Sequence, residues 1–143
     1  MAPWPAEKAR NWHAGLPWLA GCNYFPAYAV NPLEMWQKEN FDPAAIDGEL
    51  ALAQGLGFNT LRTNLHSFLW RDDPKGLLDR LEVFLGIARR RGILTMPCFF
   101  DDCAHSGKQP KAGKQDDPVP GVHNSQWTPS PPHAETTDPA AWP

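Results

Sequence analysis

The sequence lacks three features that would each narrow its function: a long apolar run, an excess of basic charge and a set of paired cysteines. No apolar stretch reaches the roughly 18 residues of a spanning helix, so no membrane segment is expected. The net charge of -3 argues against nucleic-acid binding, which needs a basic face. Three cysteines are too few, and odd in number, for a disulfide scaffold.

The first residues also lack the pattern of a secretory signal. No apolar segment followed by small residues occurs near the N-terminus. We therefore expect a cytoplasmic protein by default, with export of a longer form left open. At 143 residues and 42% hydrophobic content, the chain has the length of about one soluble domain.

What the sequence does have is an unusual number of tryptophans, seven in all. Tryptophan often belongs to a core. Its flat apolar ring is also a surface on which a sugar ring can stack. Both readings stay open for this chain.

The most informative stretch is residues 57–66, an apolar and β-branched run that contains Arg62 and ends at His66. Glycines at its start and helical patterns on both sides predict a buried parallel strand. In parallel α/β folds, functional side chains gather at the C-terminal ends of the strands. Arg62 and His66 are therefore candidates for function, although an arginine at a strand end also fits a surface ion pair.

The rest of the chain predicts three segments. Residues 1–17 read as an arm, and residues 18–103 as a β-α-β-α-β unit with strands near 18–25, 57–66 and 93–100. Helices are predicted to begin at Asp42-Pro43 and Asp73-Pro74, because aspartate caps a helix and proline suits its first turn.

Details of that unit carry further expectations. Gly92 should end the second helix, whose last turn holds Arg89, Arg90 and Arg91 as solvated cations near the helix dipole. Cys22 and Cys98 are expected to be buried in strands. Pro97 weakens the third strand, because proline removes a ladder donor.

Residues 104–143 differ sharply in composition from the preceding part. Eight of the sixteen prolines lie between Pro110 and Pro143, and few large apolar residues accompany them. Such a segment cannot build a core of its own. We expect either a long functional loop supported by a scaffold or a disordered tail.

The chain from about residue 18 to 127 resembles the N-terminal part of a clan A glycoside hydrolase barrel. It is similar to family 5 cellulases and mannanases and to bacterial proteins labelled 1,4-β-xylanase. The matching motifs are Gly21-Cys22-Asn23-Tyr24, Leu33-Glu34-Met35-Trp36, Gly57-Phe58-Asn59-Thr60-Leu61-Arg62, Leu65-His66, Phe100-Asp101-Asp102-Cys103 and Pro120-Gly121-Val122-His123-Asn124-Ser125.

The resemblance implies an α/β chain that forms about three strands of a (β/α)8 barrel, and an enzyme that hydrolyses β-linked glycans with retention. It gives Arg62 the task of hydrogen-bonding a nucleophilic glutamate, whose ionised form a nearby cation favours. It places further residues against the carbohydrate, namely His66, Asp101, Asp102, His123, Asn124 and Trp127.

This sequence departs from that family at the catalytic carboxylates. Retaining glycosidases use two, held about 5 Å apart, and the family carries them on the fourth and seventh strands. None of the six glutamates here follows a predicted strand in an Asn-Glu pair. We therefore expect these residues alone to be inactive, with the remainder of the barrel as a partner. Two alternatives are a non-catalytic carbohydrate-binding fragment and a truncated barrel without function.

Neither a metal nor a cofactor is expected. Asp101, Asp102, Cys103, His105 and His123 form no recognised zinc spacing and mix hard with soft donors. A dinucleotide site requires its glycines to follow a strand and open a helix. The Gly55-Leu56-Gly57 run instead precedes a strand.

Overall fold

The computed structural model describes residues 3–102 and 107–141. In chain order its elements are α1 (Ala6–Ala14), β1 (Gly21–Asn23), α2 (Pro32–Trp36), α3 (Pro43–Gly55), β2 (Thr60–Asn64), α4 (Ser67–Asp72), α5 (Pro74–Arg90), β3 (Leu94–Cys98), α6 (His133–Thr136) and a 3-10 turn at Pro139–Ala141.

The three strands form one parallel sheet in the order β1-β2-β3. Gly21 pairs with Thr60, and Thr60 pairs in turn with Leu94. Parallel neighbours need a crossover connection. Helices α2 and α3 connect β1 to β2, and helices α4 and α5 connect β2 to β3. The predicted α/β class is confirmed.

All three strands are shorter than predicted. The first spans three residues, because the ladder with β2 covers only Gly21 to Asn23. The second ends at Asn64 rather than at residue 66, since His66 already caps α4. The predicted arm contains a nine-residue helix, α1, which the sequence pattern missed because the helix buries none of its residues.

The two helix starts predicted from Asp-Pro pairs are confirmed. The Asp42 side chain accepts hydrogen bonds from the backbone N–H groups of Ala44 and Ala45, at 2.9 and 3.0 Å. Asp73 accepts one from Gly76 at 2.9 Å. Gly92 follows α5 with a φ of 68°, a left-handed conformation that glycine adopts without strain.

The core lies between α3, α5 and one face of the sheet. Trp36 of α2 is fully buried at its centre, with its ring 5.5 Å from that of Phe84 and 5.8 Å from that of Phe41. The Trp36 indole N–H donates to the carbonyl oxygen of Asn64 at 2.9 Å, which fixes α2 against the end of β2. Other core side chains are Leu33, Met35, Ile46, Leu50, Leu61, Leu77, Ile87 and Ile93.

The opposite face of the sheet is exposed along part of its described length, although Asn64 at the end of β2 is buried on that face. Along β2, Leu61 and Thr63 are buried and Arg62 is exposed, as alternation in a strand requires. Met96 of β3 is 58% exposed. The expectation of two buried cysteines was wrong: Cys22 is exposed because β1 is an edge strand, and Cys98 is only half-buried.

Pro97 is compatible with β3 because of the direction in which its nitrogen points. The Leu94 N–H donates to Asn59, and the Cys98 carbonyl accepts from Leu65, so these residues point their backbone groups toward β2. Pro97 lies three residues after Leu94, and because backbone groups alternate in direction along a strand, its nitrogen points away from β2. Its missing N–H therefore costs no bond to β2.

The end of α5 is tied to α3 by an ion pair. Arg91 contacts the Asp47 carboxylate through Nε at 3.0 Å and an Nη atom at 2.5 Å. These hydrogen bonds hold the pKa of Asp47 below its usual value. Of the three arginines expected to be solvated, Arg91 therefore has a structural partner, and Arg90 lies 4.0 Å from the same carboxylate.

The proline-rich segment packs over the C-terminal ends of the strands. Asn31, which is fully buried, donates to the side chain of Gln115 at 3.0 Å and to the carbonyl of Gln126 at 2.9 Å. Gln37 exchanges two hydrogen bonds with the backbone of Gly113. In its described portion, residues 107–141, the segment is a loop docked on the scaffold. Residues 103–106 and 142–143 lie outside the described residues.

No helix in residues 3–102 or 107–141 has the length and apolar content needed to cross a membrane.

Candidate functional site

A polar cleft of about 320 Å³ opens at the C-terminal ends of β1 and β2. Strand ends form its floor, and the segment after β3 and the proline-rich loop form its walls. Its lining residues are Asn23, Phe25, Arg62, Asn64, Asp101, His123, Asn124 and Trp127.

The strands place three of these side chains together. Asn23 and Arg62 are register partners in the parallel ladder, so they share a face of the sheet. Asn64 lies two residues beyond Arg62 and therefore points to the same face. This is the face that the helices leave uncovered, which is why polar side chains are accommodated there.

Arg62 is held by two neighbours on that face. Its Nε donates to the Cys98 sulfur at 3.0 Å, and an Nη atom donates to the Asn23 side-chain oxygen at 3.3 Å. Within the described ranges, no carboxylate forms an ion pair with Arg62. The guanidinium is oriented at the edge of the cleft by the Cys98 sulfur and the Asn23 side-chain oxygen.

Asp101 connects the strand ends with the loop. Its Oδ2 accepts a hydrogen bond from the Asn64 amide at 2.5 Å and another from the Trp127 indole N–H at 2.7 Å. The Asp101 backbone pairs with Ser130 in an antiparallel bridge, with both N–H to carbonyl distances at 2.7 Å. Side chain and backbone thus bind the same loop.

An aromatic pair forms one wall of the cleft. The Trp127 ring lies 4.9 Å from that of Phe25 with an interplanar angle of 83°, an edge-to-face arrangement. The turn before Trp127 is closed by Asn124, whose φ of 47° is left-handed, and by a bond from the Trp127 N–H to the Asn124 carbonyl at 2.9 Å. Asparagine tolerates this conformation better than most residues.

His66 does not lie on the rim of this cleft, where the resemblance placed it. Its side chain is 1% exposed and lines a separate apolar cavity of about 280 Å³ with Trp70 and Phe100. Burial lowers the pKa of His66 to about 4, so the imidazole is neutral at pH 7.

The two ring nitrogens of His66 have different tasks. Nδ1 accepts a hydrogen bond from the Phe68 N–H at 3.2 Å, which caps α4. In a neutral imidazole the other nitrogen must then carry the proton. Nε2 therefore donates to the Thr128 hydroxyl at 3.0 Å. His66 joins the strand end to the loop, a structural task.

Asp102 also lies outside the cleft. It is exposed, and its carboxylate contacts His133 at 2.8 Å. Adjacent residues of an extended chain point in opposite directions, so only Asp101 of this pair faces the cleft.

Sequence reasoning did not select three of the cleft residues: Asn23, Phe25 and Asn64. The two asparagines carry the same signal as Arg62, a polar side chain at a strand end on the face that alternation assigns to Arg62. Phe25 carries no such signal, because an aromatic residue after a short strand usually belongs to a core.

The described residues contain no cluster of three or more histidine, cysteine, aspartate or glutamate side chains that could hold a metal ion. Cys103 and His105, two of the residues considered as ligands, lie outside those residues.

Comparison of this chain with protein-family models, curated proteins and solved structures found no match. Fold and site therefore define a class only: a parallel α/β sheet with helices on one face and a polar, partly aromatic cleft at its C-terminal edge. Such a cleft offers amide, guanidinium and carboxylate groups beside aromatic rings, a combination that suits a polyhydroxylated ligand.

Proposed function

We propose that these residues form the first three β/α units of a (β/α)8 glycoside hydrolase of the retaining type, which acts on β-linked glycans. In this proposal the cleft is one part of the sugar site. The strand order β1-β2-β3 supports the proposal, because in such a barrel each strand lies next to the one that precedes it in the chain. The position of the cleft at the C-terminal strand ends supports it as well.

The observation that carries the proposal is the environment of Arg62. A charged guanidinium, oriented by Asn23 and Cys98 and without a carboxylate partner in the described part of the chain, can bind an added carboxylate. A cation in that position favours the ionised form of the carboxylate, which is the nucleophilic form.

The proposal assigns both catalytic carboxylates to barrel residues that this sequence does not contain. The glutamates here occupy helices or their flanks, and none lines the cleft. The activity expected of these 143 residues alone is therefore none.

Sequencing the coding DNA through and beyond the Pro143 codon, in all three frames, tests this proposal. The expected result is a continuation in which an Asn-Glu pair ends a fourth strand. In the protein extended by that continuation, Arg62→Ala should lower kcat by about 100-fold or more with little change in KM. The reason is that the substitution disturbs the nucleophile and not the sugar contacts.

Arg10→Ala is the matched control for that substitution, because Arg10 is an exposed arginine of α1. Its kcat should equal that of the parent protein. A stop codon with no such coding sequence downstream, or normal turnover in Arg62→Ala, would overturn the glycosidase proposal.

A second candidate is carbohydrate binding without hydrolysis. The Trp127 and Phe25 wall and the polar floor favour it, because both are complete within these residues. Titration with millimolar cellotetraose, mannotetraose and xylotetraose, followed by NMR, tests it. Saturable shifts at cleft residues without product formation would support binding alone, and no shifts with any sugar would exclude it.

A further inference from the structure

The loop residues 125–130 are fastened to the scaffold at three alternate positions, 126, 128 and 130. Ser125, Gln126, Thr128 and Ser130 are all buried polar residues. Gln126 accepts from Asn31, Thr128 contacts His66, and the Ser130 hydroxyl accepts from the Ser67 N–H at 2.9 Å. Trp127 lies between these anchors, so its backbone has little freedom to move.

Asp101 then fixes the side chain of Trp127. The carboxylate accepts the indole N–H at 2.7 Å, and a hydrogen bond to an ionised acceptor is stronger than one between neutral groups. The Asn64 amide holds the same carboxylate oxygen from the side of the sheet. Asp101 is therefore positioned by β2 and in turn positions the indole.

This contact decides what Trp127 offers to a ligand. The only polar group of an indole is its N–H, and here that group is bonded to Asp101. The edge-to-face contact with Phe25 holds the Trp127 ring at a second point, away from its N–H. Trp127 also lines the cleft, so the surface that it presents there is apolar ring surface, which matches the C–H face of a pyranose whose hydroxyls are equatorial.

We propose that Asp101 is a positioning residue, which acts on a glycan through Trp127 rather than by contacting the sugar itself. This inference rests on the proposed function of the cleft and specifies its ligand: a β-linked pyranoside with equatorial hydroxyls, which stacks on Trp127. It replaces the direct carbohydrate contact that the sequence resemblance gave to Asp101.

The test compares Asp101→Ala with Asp102→Ala, which removes the same charge one residue away and outside the cleft. The first readout is the Trp127 indole N–H resonance, assigned by its absence in Trp127→Phe. In Asp101→Ala it should shift upfield and exchange with solvent at least about tenfold faster, and in Asp102→Ala it should not change.

Asp101→Asn keeps an oxygen acceptor but not its charge, so the indole N–H should shift upfield and exchange faster than in the parent protein, though by less than in Asp101→Ala. This variant also keeps the test valid if Asp101→Ala does not fold. An indole resonance that is unchanged in both Asp101 variants would overturn the positioning role.

The second readout is the affinity for cellotetraose and xylotetraose. Asp101→Ala should raise Kd by about tenfold in the parent protein, but by less than about twofold in Trp127→Phe, where the N–H is already absent. Equal losses in both backgrounds would mean that Asp101 contacts the sugar directly, and would overturn the inference. If the parent protein binds neither sugar, carbohydrate binding by this cleft alone fails, while the indole measurement still decides whether Asp101 holds Trp127.

Discussion

The buried neutral His66 predicts a specific acid sensitivity. Its side chain caps α4 through Nδ1 and contacts the Thr128 hydroxyl through Nε2. A proton added to Nδ1 would point at the Phe68 N–H, which now donates a hydrogen bond to that nitrogen. The change to make is His66→Asn. Asparagine preserves a good N-cap acceptor but does not titrate.

The size of the effect follows from the two pKa values. Burial lowers the pKa of His66 to about 4 from 6.5, so the folded protein keeps the neutral form where the unfolded chain already takes up a proton. The contribution of neutral His66 to the free energy of unfolding is therefore fully present above about pH 6.5 and is lost as the pH falls toward 4. The expected loss is about 2 kcal/mol between pH 7 and pH 5, and about 3 kcal/mol in total.

Urea unfolding at pH 7 and pH 5 measures this difference. The range avoids the pKa values of Asp47 and Asp73, which hydrogen bonds hold below 3.8. The parent protein should lose about 2 kcal/mol more than His66→Asn over this range. His13→Asn, at an exposed position on α1, should behave like the parent protein. Equal pH dependence in the parent protein and His66→Asn would refute the assignment of a neutral buried imidazole.

Three further predictions concern the scaffold. Gly21→Ala should destabilise the chain by more than about 3 kcal/mol in urea unfolding, because its Cβ would lie 1.8 Å from the Thr60 carbonyl oxygen. Gly48→Ala, where a Cβ meets nothing within 4 Å, should instead stabilise helix α3 by about 0.5–1 kcal/mol. Asp42→Ala should cost about 1 kcal/mol by removing two cap hydrogen bonds, and Asp42→Asn should restore most of it; equal losses would argue against the cap.

Local chemistry made the helices and the central strand predictable. The Asp42-Pro43 and Asp73-Pro74 pairs each combine a cap with a residue suited to the first turn, and both begin helices. Helix α5 could be predicted because one stripe of it is buried, which gives its sequence the apolar spacing typical of a helix. Helix α1 shows the converse, since a helix that buries nothing leaves no periodicity in its sequence.

The cleft was predictable only as far as the strands extend. Alternation along β2 correctly separates Arg62 from its neighbours, but the same counting fails at His66, because the chain has already turned into the cap of α4. The contacts of Asp101 depend on a loop residue 26 positions away, Trp127. No local pattern contains that separation, so the hydrogen bond that defines the cleft wall could not be read from the sequence.

The orientation of Pro97 has a consequence for how this protein behaves at high concentration. Along the outer edge of β3, the backbone groups that face away from β2 belong to Thr95 and Pro97, and only Thr95 has an N–H to give. A strand from another molecule that added to this edge would miss a ladder bond in its middle. Proline at such an edge is a known protection against sheet extension. The exposed apolar face around Met96 therefore adjoins an edge that is a poor template for aggregation while it is unpaired, and the fourth strand of the proposed barrel would pair there with one ladder bond fewer, at Pro97.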